Sequence, residues 1–200
     1  FVFPGNRQEE VRSVEPLTLS DAEALADVFQ APAVQDIAPV IADNLEVSYG
    51  GERRRVSING VTPAYQPVRS YDLLEGEFIS EDQILGKASV ALIGVDVADR
   101  FFQRREAIVG EILRIEGQPF RIIGVLAPKG GGSFGSQDDV VLIPYTTAES
   151  RLIRRSRDQV DVIYIQSVDA DSVTDAADQV TQILRARHRI TIGPNDFTVF

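Results

Sequence analysis

Apolar residues recur at helical spacing in two stretches of the chain and alternate with polar ones in several others. Val173, Ala176, Ala177, Val180, Ile183 and Leu184 follow the i, i+3, i+4, i+7 pattern for more than three turns, which predicts the best helix in the sequence. Ala22, Leu25, Ala26 and Phe29 recur in the same way behind Ser20 and Glu23, a pair at capping-box spacing, and that helix has to end before Pro32. Strands are expected at 1–3, stopped by Pro4-Gly5, and at 34–49 and 53–61, joined by the hairpin dipeptide Gly50-Gly51. In the last of these, Val56, Ile58 and Gly60 alternate with Arg55, Ser57 and Asn59, so one face is buried and one is wet.

The texture changes near Thr62-Pro63 and Pro67, and up to about Pro144 the segments are short and rich in turns. Residues 88–94 form a brief apolar run that fits a buried strand, and 95–102 read as a short helix. Strands are expected at 111–116 and 119–126 around Gly117-Gln118, and at 140–143; the Gly-rich stretch 129–136 between them reads as a mobile loop. Beyond it the earlier style returns, with a short helix at 146–153, a strand at 160–168, the long helix, and a closing strand at 196–200. Strand–helix–strands, an insertion, then strand–helix–strand predicts an α+β fold. Its outer part has a split βαβ, ferredoxin-like arrangement, and the inserted part is β-rich.

Composition narrows the function classes. A formal net charge of −10 excludes nucleic acid as a partner, because a phosphate-binding face needs clustered cations without an opposing field. The chain has no cysteine, which removes disulfides, thiolate metal sites and cysteine nucleophiles together. No run reaches the ~18–20 apolar residues that span a bilayer. The chain begins at Phe1 and contains no Met, so it is expected to be a segment cut from a longer protein.

Each candidate for chemistry has an ordinary structural account. The single histidine, His188, sits among Arg185, Arg187 and Arg189 at the end of the long helix, where cations meet free carbonyls. Asp169, Asp171, Asp175 and Asp178 depart from the calcium-loop pattern at Val173 and Asp178, and read as helix capping. In 129–135 the lysine precedes the glycines, the reverse of a phosphate loop, and Asp138-Asp139 would repel phosphate. Arg53-Arg54-Arg55 and Arg151 with Arg154, Arg155 and Arg157 are expected to pair with the chain's own carboxylates. The acidic pairs Glu9-Glu10, Glu81-Asp82 and Asp138-Asp139 are expected to be solvated. No catalytic residue, cofactor site or metal site is assigned. The assigned partner-contact candidates are Gly130, Gly131, Gly132 and Phe134, an aromatic anchor set in flexible glycines.

Several stretches resemble the periplasmic core domain of MacB-type ABC transporter permeases, the FtsX-like/MacB family. They are Val90-Ala91-Leu92-Ile93-Gly94 with Val97-Ala98 and Phe101-Phe102, then Val109-Gly110-Glu111-Ile112, Phe120-Arg121-Ile122-Ile123-Gly124-Val125-Leu126 and Asp139-Val140-Val141-Leu142-Ile143-Pro144. Outside the middle, Leu17-Thr18-Leu19-Ser20-Asp21-Ala22, the stretch Ile183 to His188 with Asp196-Phe197, and Phe1-Val2-Phe3-Pro4-Gly5 resemble the family's first helix start, last helix and strand, and opening strand. Glu111 stands where the family usually has a lysine.

The resemblance implies a discontinuous Porter-like subdomain at 1–65 and 145–200, and an inserted Sabre-like subdomain at 66–144. It implies an extracytoplasmic (periplasmic) domain tethered by transmembrane helices and dimeric in the full-length protein. ATP hydrolysis would lie in a separate ABC ATPase domain or subunit. The implied partners are a membrane-fusion adaptor and an outer-membrane channel, and the implied function is coupling of ATP hydrolysis to efflux. Two alternatives stand beside it: a signalling module of an FtsX-like permease acting on a cell-envelope partner, and a secreted small-molecule-binding domain. The coupling reading predicts that Phe1 and Phe200 lie close together.

Overall fold

The computed structural model describes residues 1–6, 14–132 and 135–200. The chain divides into two compact units, the first made of 1–40 and 155–200 and the second of 41–154. The division falls at 40/41 and 154/155, not at the expected 65/66 and 144/145. The composition shift at Thr62-Pro63 marks the end of a strand. Strand β3 (Glu52–Val61) pairs in parallel with β10 (Val140–Pro144), so the hydrogen bonds of 52–61 belong with the insertion.

The first unit contains β1 (Val2–Pro4), α1 (Leu19–Leu25), the opening half of β2 (Val34–Tyr49), β11 (Val162–Ser167), α6 (Val173–Arg187) and β12 (Phe197–Val199). The strand order is β12-β1-β11-β2 and every pairing is antiparallel. Two strand–helix–strand passes interleaved in this way make a split βαβ sheet. Helix α1 packs on α6. Leu17, Leu25, Val180 and Leu184 are buried together with Val2, Ile163 and Phe197 of the strands. Each such side chain removed from water contributes about 1.5–3 kcal/mol.

The cap of helix α1 lies two residues before the expected one. Thr18 is its N-cap: its side chain accepts from the Asp21 N–H at 3.1 Å, and the Asp21 carboxylate accepts from the Thr18 N–H at 2.9 Å. Helix α6 matches the sequence pattern, with Ala176, Val180, Ile183 and Leu184 inward.

The second unit holds the rest of β2, then β3, α2 (Tyr65–Val68), β4 (Leu73–Gly76), α3 (Glu81–Leu85), β5 (Val90–Ile93), α4 (Val95–Phe102), β6 (Ile112–Ile115), β7 (Gln118–Leu126), β8 (Gly131–Gly132), β9 (Gly135–Ser136), β10 and α5 (Tyr145–Arg151). Its strands pair in the order β2-β3-β10-β5-β7, and β6 pairs with both β7 and β2. The ring is therefore closed. Strand β4 adds to β7 beyond the stretch that β6 occupies. Strands β5 and β10 are buried along their whole length because α4 and α5 cover the ring's outer side there. Strands covered on both faces are continuous apolar runs, which is how these two read in the sequence. The sequence reading did not include α2, β4 or α3.

Gly94, between β5 and α4, shows why a glycine is required at one junction. A Cβ there would lie 2.1 Å from the Asp138 carbonyl oxygen. The close approach lets the Gly94 N–H reach the Val140 carbonyl at 2.9 Å and seats the start of α4 against the strand leading into β10.

Candidate functional site

The glycine-rich stretch is a small hairpin with a fixed base. Strands β8 and β9 pair Gly131 with Ser136 and Gly132 with Gly135. At the base, the Asp138 carboxylate accepts from the N–H groups of Lys129 at 2.7 Å and Gly130 at 2.8 Å. The Gln137 N–H donates to the Gly130 carbonyl at 3.0 Å. Asp138 is buried, contrary to the expectation that the Asp138-Asp139 pair is solvated, because its carboxylate is needed as an acceptor for two turn amides. Asp139 is engaged as well, by Arg54 at 2.7 Å.

Neighbouring residues of the same unit brace this base. The Lys129 ammonium lies 4.6 Å from the centre of the Tyr71 ring and donates to the Arg69 carbonyl. Burial holds the Lys129 amine below its usual range, with the positive charge of Arg69 acting in the same direction. The Arg69 guanidinium donates to Gln137 Oε1 at 3.0 Å, and Ser136 Oγ donates to Asp96 at 2.7 Å. Gly131, Gly132 and Gly135 are exposed. Gly130, Gly131 and Gly132 are thus exposed beside a polar clamp; Phe134 lies outside the described residues.

The remaining sequence candidates fall into place singly. His188 sits at the end of α6 as expected, and it is buried there between Asp196 and Asp21. Asp169 accepts from the Ser172 N–H at 2.8 Å, which satisfies an amide at the start of α6; the hydrogen bond with the Ser172 side chain, and then the one from its N–H, hold the Asp169 carboxyl below the ordinary range. Among the described residues no group of three or more His, Cys, Asp or Glu side chains is placed to hold a metal ion. Of the basic clusters, Arg54 pairs with Asp139, and Arg155 with Asp161 at 2.9 Å. Arg55 and Arg151 instead donate to the carbonyls of Asn44 and Lys87. Glu81 and Asp82 are exposed on the first turn of α3, where Ser80 and Gln83 form a capping box; Glu9 and Glu10 lie outside the described residues.

The chain ends form the second notable feature. The Phe1 nitrogen donates to the Phe200 carbonyl at 2.8 Å, and the Phe200 N–H donates to the Phe1 carbonyl at 2.9 Å. The Phe1 ring lies 5.4 Å from Phe200, 5.7 Å from Tyr164 and 5.9 Å from Phe3. The expected proximity of the ends is met by direct pairing. No helix among the described residues is long and apolar enough to cross a membrane.

Comparison with known proteins fits this geometry. The MacB-like periplasmic core domain family matches residues 1–183. The macrolide export ATP-binding/permease protein MacB of Bdellovibrio bacteriovorus is 31% identical over 186 residues, covering 92% of this chain and 28% of that protein. The pyoverdine export ATP-binding/permease protein PvdT of Pseudomonas entomophila is 31% identical over 183 residues, 90% of this chain and 27% of that one. The chain thus spans less than a third of these relatives. The crystal structure of the periplasmic region of MacB from Actinobacillus actinomycetemcomitans superposes with a TM-score of 0.78 at 21% identity, over 100% of this chain and 86% of that one. In sequence and in fold alike, the chain belongs to the MacB-like periplasmic core domain family.

Proposed function

We propose that this domain is the extracytoplasmic coupling module of a MacB-type ABC transporter permease. In this reading it does no chemistry itself. It passes movement driven by ATP hydrolysis elsewhere in the protein to a membrane-fusion adaptor, for export. Homodimerisation through the full-length protein and contact with an outer-membrane channel belong to the same proposal, as does placement on the outer face of the inner membrane.

The observation that supports the reading is the pairing of Phe1 with Phe200. Both ends enter one sheet side by side, so a displacement of the segments flanking either end is delivered into the same hydrogen-bonded strands. Gly130, Gly131, Gly132 and Phe134 are the proposed adaptor contact, because the described glycines are exposed beside a hydrogen-bonded base.

The test uses the full-length permease reconstituted with its adaptor. Flexible Gly-Ser segments of about ten residues, inserted at each junction of this domain, lengthen each connection by up to ~30 Å. The expected result is retained ATP hydrolysis with loss of adaptor-dependent transport. Transport at the original rate with both insertions in place would overturn the coupling role.

A further inference from the structure

His188 is nearly inaccessible, with its side chain 4% exposed, yet it is surrounded by charge. Its Nδ1 lies 2.9 and 3.0 Å from the two carboxylate oxygens of Asp196, and its Nε2 lies 3.3 Å from Asp21 Oδ2. A neutral imidazole has one N–H and one bare lone pair. With a carboxylate oxygen at both nitrogens, a neutral ring would aim that lone pair at an acceptor, whereas an imidazolium donates at both ends.

We propose that His188 is held as a doubly protonated imidazolium between Asp21 and Asp196, and serves as a proton-operated latch on the segment that leads into β12.

Two carboxylates face the ring, and each is held by further donors. Asp21 comes from the first turn of α1, where the Thr18 N–H donates to it at 2.9 Å. Arg187, on α6, donates to the other Asp21 oxygen at 2.6 Å and to Ser20 Oγ at 2.7 Å. Asp196 comes from the strand approach and also accepts from the Glu15 N–H at 3.1 Å. The Phe197 ring stands edge-on to the imidazole at 6.0 Å. Arg185, the other cation in the last turn of α6, donates to Asn195 Oδ1 and the Gly193 carbonyl, within the segment that Asp196 terminates. Burial opposes the imidazolium, but its hydrogen bonds to Asp196 and then to Asp21 outweigh it and raise the ring above its ordinary value.

The latch acts where the chain end is fastened. The Asp196 carbonyl accepts from the Gly5 N–H at 2.7 Å, and β12 begins at the next residue and pairs with β1. A histidine raised on folding contributes stability that is complete below its unfolded value of about 6.5. That stability is lost as pH rises through the folded value. Alkaline conditions should therefore release residues 189–199, and mildly acidic ones should hold them.

The wild-type domain tests this directly, because its spectrum contains one histidine. Nitrogen-15 NMR should show both ring nitrogens protonated at pH 7 and a titration midpoint above about 6.5. Hydrogen exchange at 197–199, corrected for intrinsic rates, should accelerate about tenfold for each pH unit by which the ring is raised, while β7 stays unchanged. In His188→Gln, which carries no titratable proton, the step should vanish. A single neutral tautomer at pH 7, a midpoint at or below the unperturbed value, or exchange at 197–199 indifferent to pH would each overturn the latch.

Discussion

Phe1 and Phe200 exchange both of their backbone hydrogen bonds, at 2.8 and 2.9 Å, so the two ends of the chain form a hydrogen-bonded antiparallel pair. The Cα atoms of such pairs lie about 5.5 Å apart. That separation falls inside the range a disulfide accepts.

The variant Phe1→Cys with Phe200→Cys should therefore close an intramolecular disulfide under air oxidation, without denaturant. The measurement is the loss of two hydrogens by mass spectrometry on the monomer, with thermal unfolding of the oxidised and reduced forms. A gain of about 2–4 kcal/mol over the reduced form is expected. Cross-linked dimers alone would show that the ends are not paired in solution.

Asp138→Ala should destabilise the base of the glycine hairpin. It strands the Lys129 and Gly130 amides, which donate to that carboxylate at 2.7 and 2.8 Å. Lys129 is half-buried and Gly130 exposed, so water replaces part of what is lost and the expected cost is about 1 kcal/mol. Thermal melting should drop accordingly, with faster exchange at 129–137. Asp138→Asn keeps one side-chain acceptor oxygen and should lose less.

Gly131→Leu separates folding from docking. A Cβ at this position meets no atom within 4 Å, and the backbone is not left-handed. Unfolding stability should stay within about 0.5 kcal/mol of wild type. Binding of the adaptor by the full-length permease, followed by surface plasmon resonance, should weaken at least about tenfold (1.4 kcal/mol). Unchanged binding would remove this hairpin from the interface.

Asp21 sets the acid limit. Burial alone would raise its carboxyl, but Arg187, His188 and Thr18 together hold it below the usual value of 3.8. A carboxylate lowered on folding contributes stability that is present above its unfolded value and lost as pH falls through the folded one. Stability of the wild-type domain should therefore decline below pH ~4, and Asp21→Asn should be less stable at neutral pH with a shallower acid limb. Urea unfolding at a series of pH values measures both.

Much of this was legible in the sequence, and the exceptions share a cause. Helix α4 runs from Val95 to Phe102 as its pattern predicts, because Val97, Ala98, Phe101 and Phe102 bury one face. The sequence places the capping box of α1 at Ser20 with Glu23, whereas the structure forms it from Thr18 with Asp21. Tertiary partners decided between them: Arg187 and His188 converge on Asp21, so Thr18 caps. His188 looked like one more cation at a helix end because Asp21 lies far away in sequence and is brought to it only by the packing of α1 on α6. The ring closure was equally hidden, since β6 meets β2 through Val47 and Ile115, residues that carry no mark of their pairing. The stretch 129–136 reads as a mobile loop because glycine dominates its signal; the pairing of Gly131 with Ser136 and the amides that Asp138 accepts from leave no such mark in the sequence.

The division of the chain has a consequence for its synthesis. The second unit is one uninterrupted stretch, 41–154, so every strand of its closed ring has been made before residue 155 appears. The first unit is in the opposite position. Strand β1 is made before every other element of the domain, yet its partners are β11 and β12, and the last of these arrives with Phe197–Val199. During vectorial synthesis the ring can mature while β1 still waits, unpaired, for the domain's last strand.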